Sequence, residues 1–120
     1  MLAANYDITL DRAAEYKFVL TIKNQSDVAV NISGFTFYAD IRDLVNNAEA
    51  VSFTYAILNS GVNGQVSFTL TEANTLALRS SGRYSYDIFM IRSGSTERLL
   101  YGSVTVRANT TKGVPIDPIS

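Results

Sequence analysis

The chain has 120 residues, which suits one domain with a core large enough to stand alone. Its ten basic and eleven acidic residues leave a net charge of −1 and are scattered, so no basic stripe is offered to a nucleic-acid backbone. It contains no cysteine and no histidine, which removes disulfides, thiolate metal sites, the commonest catalytic base and the thiol nucleophile together.

No window of about 18 apolar residues exists, so no transmembrane helix is expected. The opening "MLAANYDI" has neither a basic region nor a long apolar run, and no secretory signal is expected there.

Alternation of period two dominates, the mark of strands with one face in a core. In chain order, the first run places Tyr6, Ile8 and Leu10 on one face. The second places Tyr16, Phe18, Leu20 and Ile22 inward, with Lys17, Val19, Thr21 and Lys23 outward. "NQSD", Asn24 to Asp27, follows as a turn of side chains that bond their own backbone. The third run sets Phe35, Phe37, Ala39 and Ile41 against Thr36, Tyr38, Asp40 and Arg42. The fourth carries Val51, Phe53, Tyr55 and Ile57 as a single strand. "NSGVNG", Asn59 to Gly64, reads as its hairpin turn into the fifth, which carries Val66, Phe68 and Leu70.

"TEANTLALRS", Thr71 to Ser80, departs from alternation. Ala73, Leu76 and Ala77 lie at helical spacing, Thr71 can cap the start, and Glu72 suits the first turn, so a short helix is expected. The sixth run, after Gly82, alternates Tyr84, Tyr86, Ile88 and Met90. The seventh carries Leu100, Val104 and Val106, with Tyr101, Ser103, Thr105 and Arg107 outward.

About seven strands with turns between them define an all-β class, and the short helix before Gly82 and Tyr84 favours an immunoglobulin-like antiparallel β-sandwich over a barrel. Residues 1–107 form this domain. In that fold a tyrosine near the start of the sixth strand bonds backbone just upstream, and Tyr84 is the candidate. Tyr86 stands where a cystine might be, and its ring fills the inter-sheet space. A buried aromatic hides roughly 150–250 Å², and its burial compares with the roughly 2–4 kcal/mol a disulfide contributes.

Residues 108–120, "ANTTKGVPIDPIS", lose alternation and hold both prolines, Pro115 and Pro118. An extended arm that lies along a partner is expected, with Ile116 and Ile119 as its contacts.

Chemistry-bearing patterns are sparse. Asp7 with Asp11, and Asp40 with Asp43, are the available carboxylate pairs, and both read as solvated acids at strand ends. Asp40, Asp43, Asn46, Asn47 and Glu49 gather oxygen ligands without the glycine and spacing of a calcium loop. Asn24, Asn31 and Asn109 begin N-x-S/T sequons, read as chance in a chain rich in these residues. No catalytic residue, metal or cofactor is expected.

Three stretches carry a resemblance: Ile32-Ser33-Gly34-Phe35-Thr36, Gly82-Arg83-Tyr84-Ser85-Tyr86-Asp87-Ile88, and the run from Arg98 to Val106, "RLLYGSVTV". With the strand pattern from Tyr6 to Arg107 around them, the chain resembles small Ig-like structural proteins of tailed bacteriophages, among them N-terminal domains of baseplate upper proteins. One departure is "DRAAE", Asp11 to Glu15, where a glycine would be expected. The resemblance implies a non-enzymatic virion component of the tail, neck or baseplate region. Such a protein is made in the host cytoplasm and packs in several copies against other phage structural proteins. Edge strands and the arm would make the contacts, with Tyr38, Arg42, Tyr101 and Arg107 as anchors beside Ile116 and Ile119. A capsid decoration protein is one alternative. A carbohydrate- or receptor-binding module is another, which would gather Tyr38, Asp40, Tyr55 and Tyr101 on one outward face.

Overall fold

The computed structural model describes residues 4–45, 49–79 and 82–108, with Glu49 described by its backbone alone. The expected arm with Ile116 and Ile119, the sequon at Asn109, and Asn46 and Asn47 lie outside the described residues.

The strands are β1 (Ala4–Asn5), β2 (Ile8–Asp11), β3 (Tyr16–Thr21), β4 (Thr36–Asp43), β5 (Glu49–Ser52), β6 (Thr54–Ile57), β7 (Gln65–Leu70), β8 (Tyr84–Arg92) and β9 (Ser95–Arg107), with helix α1 (Glu72–Leu76) between β7 and β8. They form two sheets in a sandwich. The large sheet runs β1-β9-β8-β4-β5, with β2 also on β9, and the small sheet runs β3-β7-β6. The class is all-β with one short helix, in the strand order of an immunoglobulin-like sandwich.

The inner faces meet through rings. Phe68 of the small sheet stacks on Phe18 at 5.4 Å and meets Phe37 and Phe53 edge-on at 6.0 and 6.4 Å. Offset and edge-to-face pairs of this kind add roughly 0.5–1.5 kcal/mol each beyond burial. Around them Leu10, Ile32, Ile41, Val66, Leu70, Leu78 and Ile88 are fully buried.

Four departures from the expected elements have physical causes. First, β1 and β2 pair with β9 in parallel, so the sandwich is not wholly antiparallel. Between β1 and β2 the chain stays beside β9 and passes close to Gly102, where a Cβ would stand 2.4 Å from the Tyr6 carbonyl oxygen. Tyr6 is consequently exposed rather than inward.

Second, the expected fourth strand divides. Its first part, β5, pairs with β4, whereas β6 pairs with β7 in the other sheet. Phe53 marks the crossing: its N–H donates to the Ala39 carbonyl at 2.8 Å while its ring enters the core. Alternation continues through a sheet switch because both sheets want the same residues inward.

Third, α1 is capped as expected, with Thr71 accepting from the Asn74 N–H and Asn74 accepting from the Thr71 N–H. Its buried face is different. Thr75 and Leu78 are buried, whereas Ala73 and Ala77 are exposed. The Thr75 hydroxyl donates within reach of the Ala14 and Glu72 carbonyls, which lets a polar side chain replace an apolar one.

Fourth, the glycines of "NSGVNG" do more than turn a hairpin. A Cβ on Gly61 would lie 2.5 Å from the Ser33 nitrogen, and one on Gly64 2.6 Å from the Ile22 carbonyl oxygen. Two backbones approach there with no room for a side chain. In "DRAAE" the left-handed position is held by Ala13, at φ 74° and buried. The neighbouring Arg12 anchors this corner by donating to the Leu78 and Leu76 carbonyls at 3.0 and 3.1 Å. An arginine clamp on the end of α1 thus accompanies the strained residue.

Candidate functional site

The outward face of the large sheet holds the richest set of interaction-bearing side chains. β4 and β9 are not hydrogen-bonded neighbours; β8 lies between them. The registers give one row as Tyr38, Phe89 and Arg98, and the next as Asp40, Asp87 and Tyr101. Tyr38 and Tyr101 are 57% and 36% exposed. The Arg98 guanidinium lies over the Phe89 ring at 6.0 Å and over the Tyr101 ring at 5.0 Å, within cation–π range.

A β-bulge builds this arrangement. Ile88 pairs with Leu100 but Phe89 pairs with Arg98, so Leu99 is the additional residue. Both Leu99 and Leu100 are therefore buried. In a regular strand Arg98 and Tyr101, three apart, would face opposite ways; the bulge turns both outward. Phe89 and Arg98 are the members missed by strand alternation. The double leucine of "RLLY" was the available signal, since it cannot alternate.

Below the rings, Asp40 and Asp87 stand directly opposite one another. Like charges in that position are unfavourable. Asp40 accepts from the Ser52 hydroxyl at 2.7 Å. A shallow depression beside this row is lined by Asn5, Asp7, Asp87, Arg98, Tyr101 and Ser103. The face thus combines ring surface, a fixed guanidinium and two carboxylates suited to a donor or cation.

The other residues singled out above are placed as follows. Arg42 shares this outer face with Tyr38 and pairs in register with Ser85. Arg107, at the end of β9, donates to the Asp11 carboxylate at 2.8 Å, and this hydrogen bond raises its pKa. Tyr55 belongs to β6 in the small sheet and packs on Phe37 at 5.3 Å. The set Tyr38, Asp40, Tyr55 and Tyr101 therefore loses Tyr55 and gains Phe89, because the fourth run changes sheets at Phe53.

Asp7 and Asp11 are exposed, as expected, and Asp40 and Asp43 are half-buried, but these acids also make specific bonds. Asp7 accepts from the Ser103 N–H at 2.9 Å, and Asp11 from Arg107. Asp43 accepts from the Val45 N–H and from Arg79. Each fastens a strand end or corner. Among the described residues, no group of three or more acidic side chains is arranged to hold a metal ion, and no helix is long and apolar enough to cross a membrane.

Tyr84 and Tyr86 point inward. The Arg79 N–H donates to the Tyr84 hydroxyl at 3.0 Å, five residues upstream, the geometry of a tyrosine corner. A Cβ on Gly82 would lie 2.5 Å from that ring. Tyr86 packs on Phe53, with centroids 6.2 Å apart, and its hydroxyl donates to the Tyr6 carbonyl. Burial, assisted by the nearby Tyr16, Tyr6 and Asp7, pushes its pKa up to about 12.

Compared with protein-family models and with curated proteins, the chain matches none of either.

Proposed function

We propose that the chain is a non-enzymatic structural component of a tailed-phage particle, in the tail, neck or baseplate region, where it docks on neighbouring structural proteins. The motif resemblance from Tyr6 to Arg107 supplies the setting. The observation that carries the docking is the row Tyr38, Phe89 and Arg98, with Tyr101 beside it, on an outward sheet face. Exposed aromatics and arginine are the usual anchors of protein interfaces. The opposed Asp40 and Asp87 add a preference for a partner that brings a hydrogen-bond donor or a cation between them.

Purified particles provide the test. The chain should be recovered from them by mass spectrometry. A Tyr38→Ala/Arg98→Ala double variant should melt like the wild type yet enter particles roughly tenfold less well, as expected when interface anchors are truncated. Incorporation equal to wild type overturns the docking face.

Tyr38 together with the adjoining row of Asp40, Asp87 and Tyr101 also supports a second reading as a receptor- or carbohydrate-binding face. Binding of the isolated chain to a glycan array, lost in the same double variant, would favour it.

A further inference from the structure

Among the described residues, the edge formed by β3 on the small sheet is open. The first strands, which could have covered it, pair instead with β9 in the large sheet. Among the described residues, β3 bonds β7 on one side and no strand on the other. The Ile22 N–H donates to the Gly64 carbonyl, so the even-numbered residues of this strand turn their backbone groups toward β7. Those of Lys17, Val19 and Thr21 face away, toward the open side. The side chains agree: Lys17, Val19 and Thr21 are exposed, Val19 by 49%, and the inward Tyr16, Phe18 and Leu20 are only half-buried. The facing residues of β7, Val66, Phe68 and Leu70, are fully buried.

We infer that two copies of this chain pair antiparallel through β3, about a twofold axis at Val19, to join their small sheets. The sequence from Glu15 to Lys23 is self-complementary in that register. Val19 meets Val19 of the second copy, Lys17 meets Thr21, Phe18 meets Leu20, and Glu15 meets Lys23. The residues that exchange backbone hydrogen bonds, Lys17 with Thr21 and Val19 with Val19, are those whose groups point outward. The half-buried Tyr16, Phe18 and Leu20 gain cover on the inner side. Lys17, which would repel itself at the axis, is displaced from it by two residues. Lys23 also lies 3.5 Å from Asp27 within its own chain, an exposed pair that Glu15 of the second copy can share. Edge strands left open are templates for such pairing, and a twofold contact closes without growing into a fibre. This interface is on the opposite sheet from the proposed docking face and stands whatever that face binds.

Sedimentation equilibrium of the full chain, from about 1 µM to about 1 mM, tests it. A reversible monomer–dimer equilibrium is expected. Val19→Lys sets two ammonium groups against each other at the axis and should leave only monomer, with an unchanged circular-dichroism spectrum. Glu15→Lys should weaken the dimer roughly tenfold, because the axis repeats each like-charge contact, and Glu15→Lys/Lys23→Glu should restore it. A wild-type monomer throughout the range overturns the inference. So does a dimer that survives Val19→Lys, or a charge reversal that fails to rescue Glu15→Lys. Loss of particle incorporation in the Tyr38→Ala/Arg98→Ala variant leaves this equilibrium unaffected, so the two surfaces fail separately.

Discussion

The hydroxyl of Tyr86 donates a hydrogen bond to the main-chain carbonyl of Tyr6, eighty residues away in the chain. The ring sits in the core of the large sheet, while the carbonyl belongs to the segment that passes close to Gly102 between β1 and β2. One side chain thereby ties the start of the chain to the centre of the sandwich. In this cystine-free core Tyr86 adds a directional bond to the ring area it packs against Phe53.

Burial of this hydroxyl makes stability sensitive to alkali. The folded pKa of Tyr86, about 12, lies above the ordinary 10.0. Between those values the unfolded chain releases the proton while the folded chain keeps it. The contribution is intact below pH 10 and is lost as pH rises toward 12, at about 1.4 kcal/mol per pH unit. Tyr86→Phe should cost about 1 kcal/mol at neutral pH through the lost bond and flatten the alkaline limb. Urea denaturation midpoints from neutral to alkaline pH check both; a limb equally steep in the variant rejects the assignment.

Tyr84→Phe should also cost about 1 kcal/mol, because the Arg79 N–H loses its acceptor. Gly82→Ala should cost about 1–3 kcal/mol, since the added methyl displaces a buried ring. The two effects should fall short of additivity when combined, because both act on one ring. Denaturation midpoints of the two variants and the pair provide the measurement.

Gly102→Ala should be the more damaging change. Its methyl would meet the Tyr6 backbone rather than a movable side-chain tip, so the segment between β1 and β2 must lift off β9. Hydrogen exchange should accelerate at the β2 amides and much less in β7. Gly94 has positive φ but open space around it, so Gly94→Ala should show backbone strain without that exchange pattern.

Thr71→Ala should cost about 1 kcal/mol, the usual value of an N-cap. The capping box puts the penalty on α1, whose Thr75, with Leu78 just past its end, holds the β2–β3 corner through Ala14 and Arg12. Thr71→Ser should retain most of the stability. Thermal denaturation separates the two variants, and equal loss in both would show that the hydroxyl is not the cause.

Local chemistry alone determined the strands, the capped helix and the inward sides of β4, β7 and β8. Alternation reports which side faces oil, and Thr71, Glu72 and Gly82 act within a few residues of themselves. Tyr84 was legible for the same reason, since its corner spans five residues. What alternation cannot report is which sheet a strand joins, because both inner faces select the same side chains. Tertiary structure therefore decided the division at Phe53, the parallel seat of β2 on β9, and the exile of Tyr55 from the outer row. It also decided the pairing of Arg98 with Tyr101. Their common face depends on the bulge at Leu99, which exists because two successive leucines both gain by leaving water and a regular strand can bury only one of them.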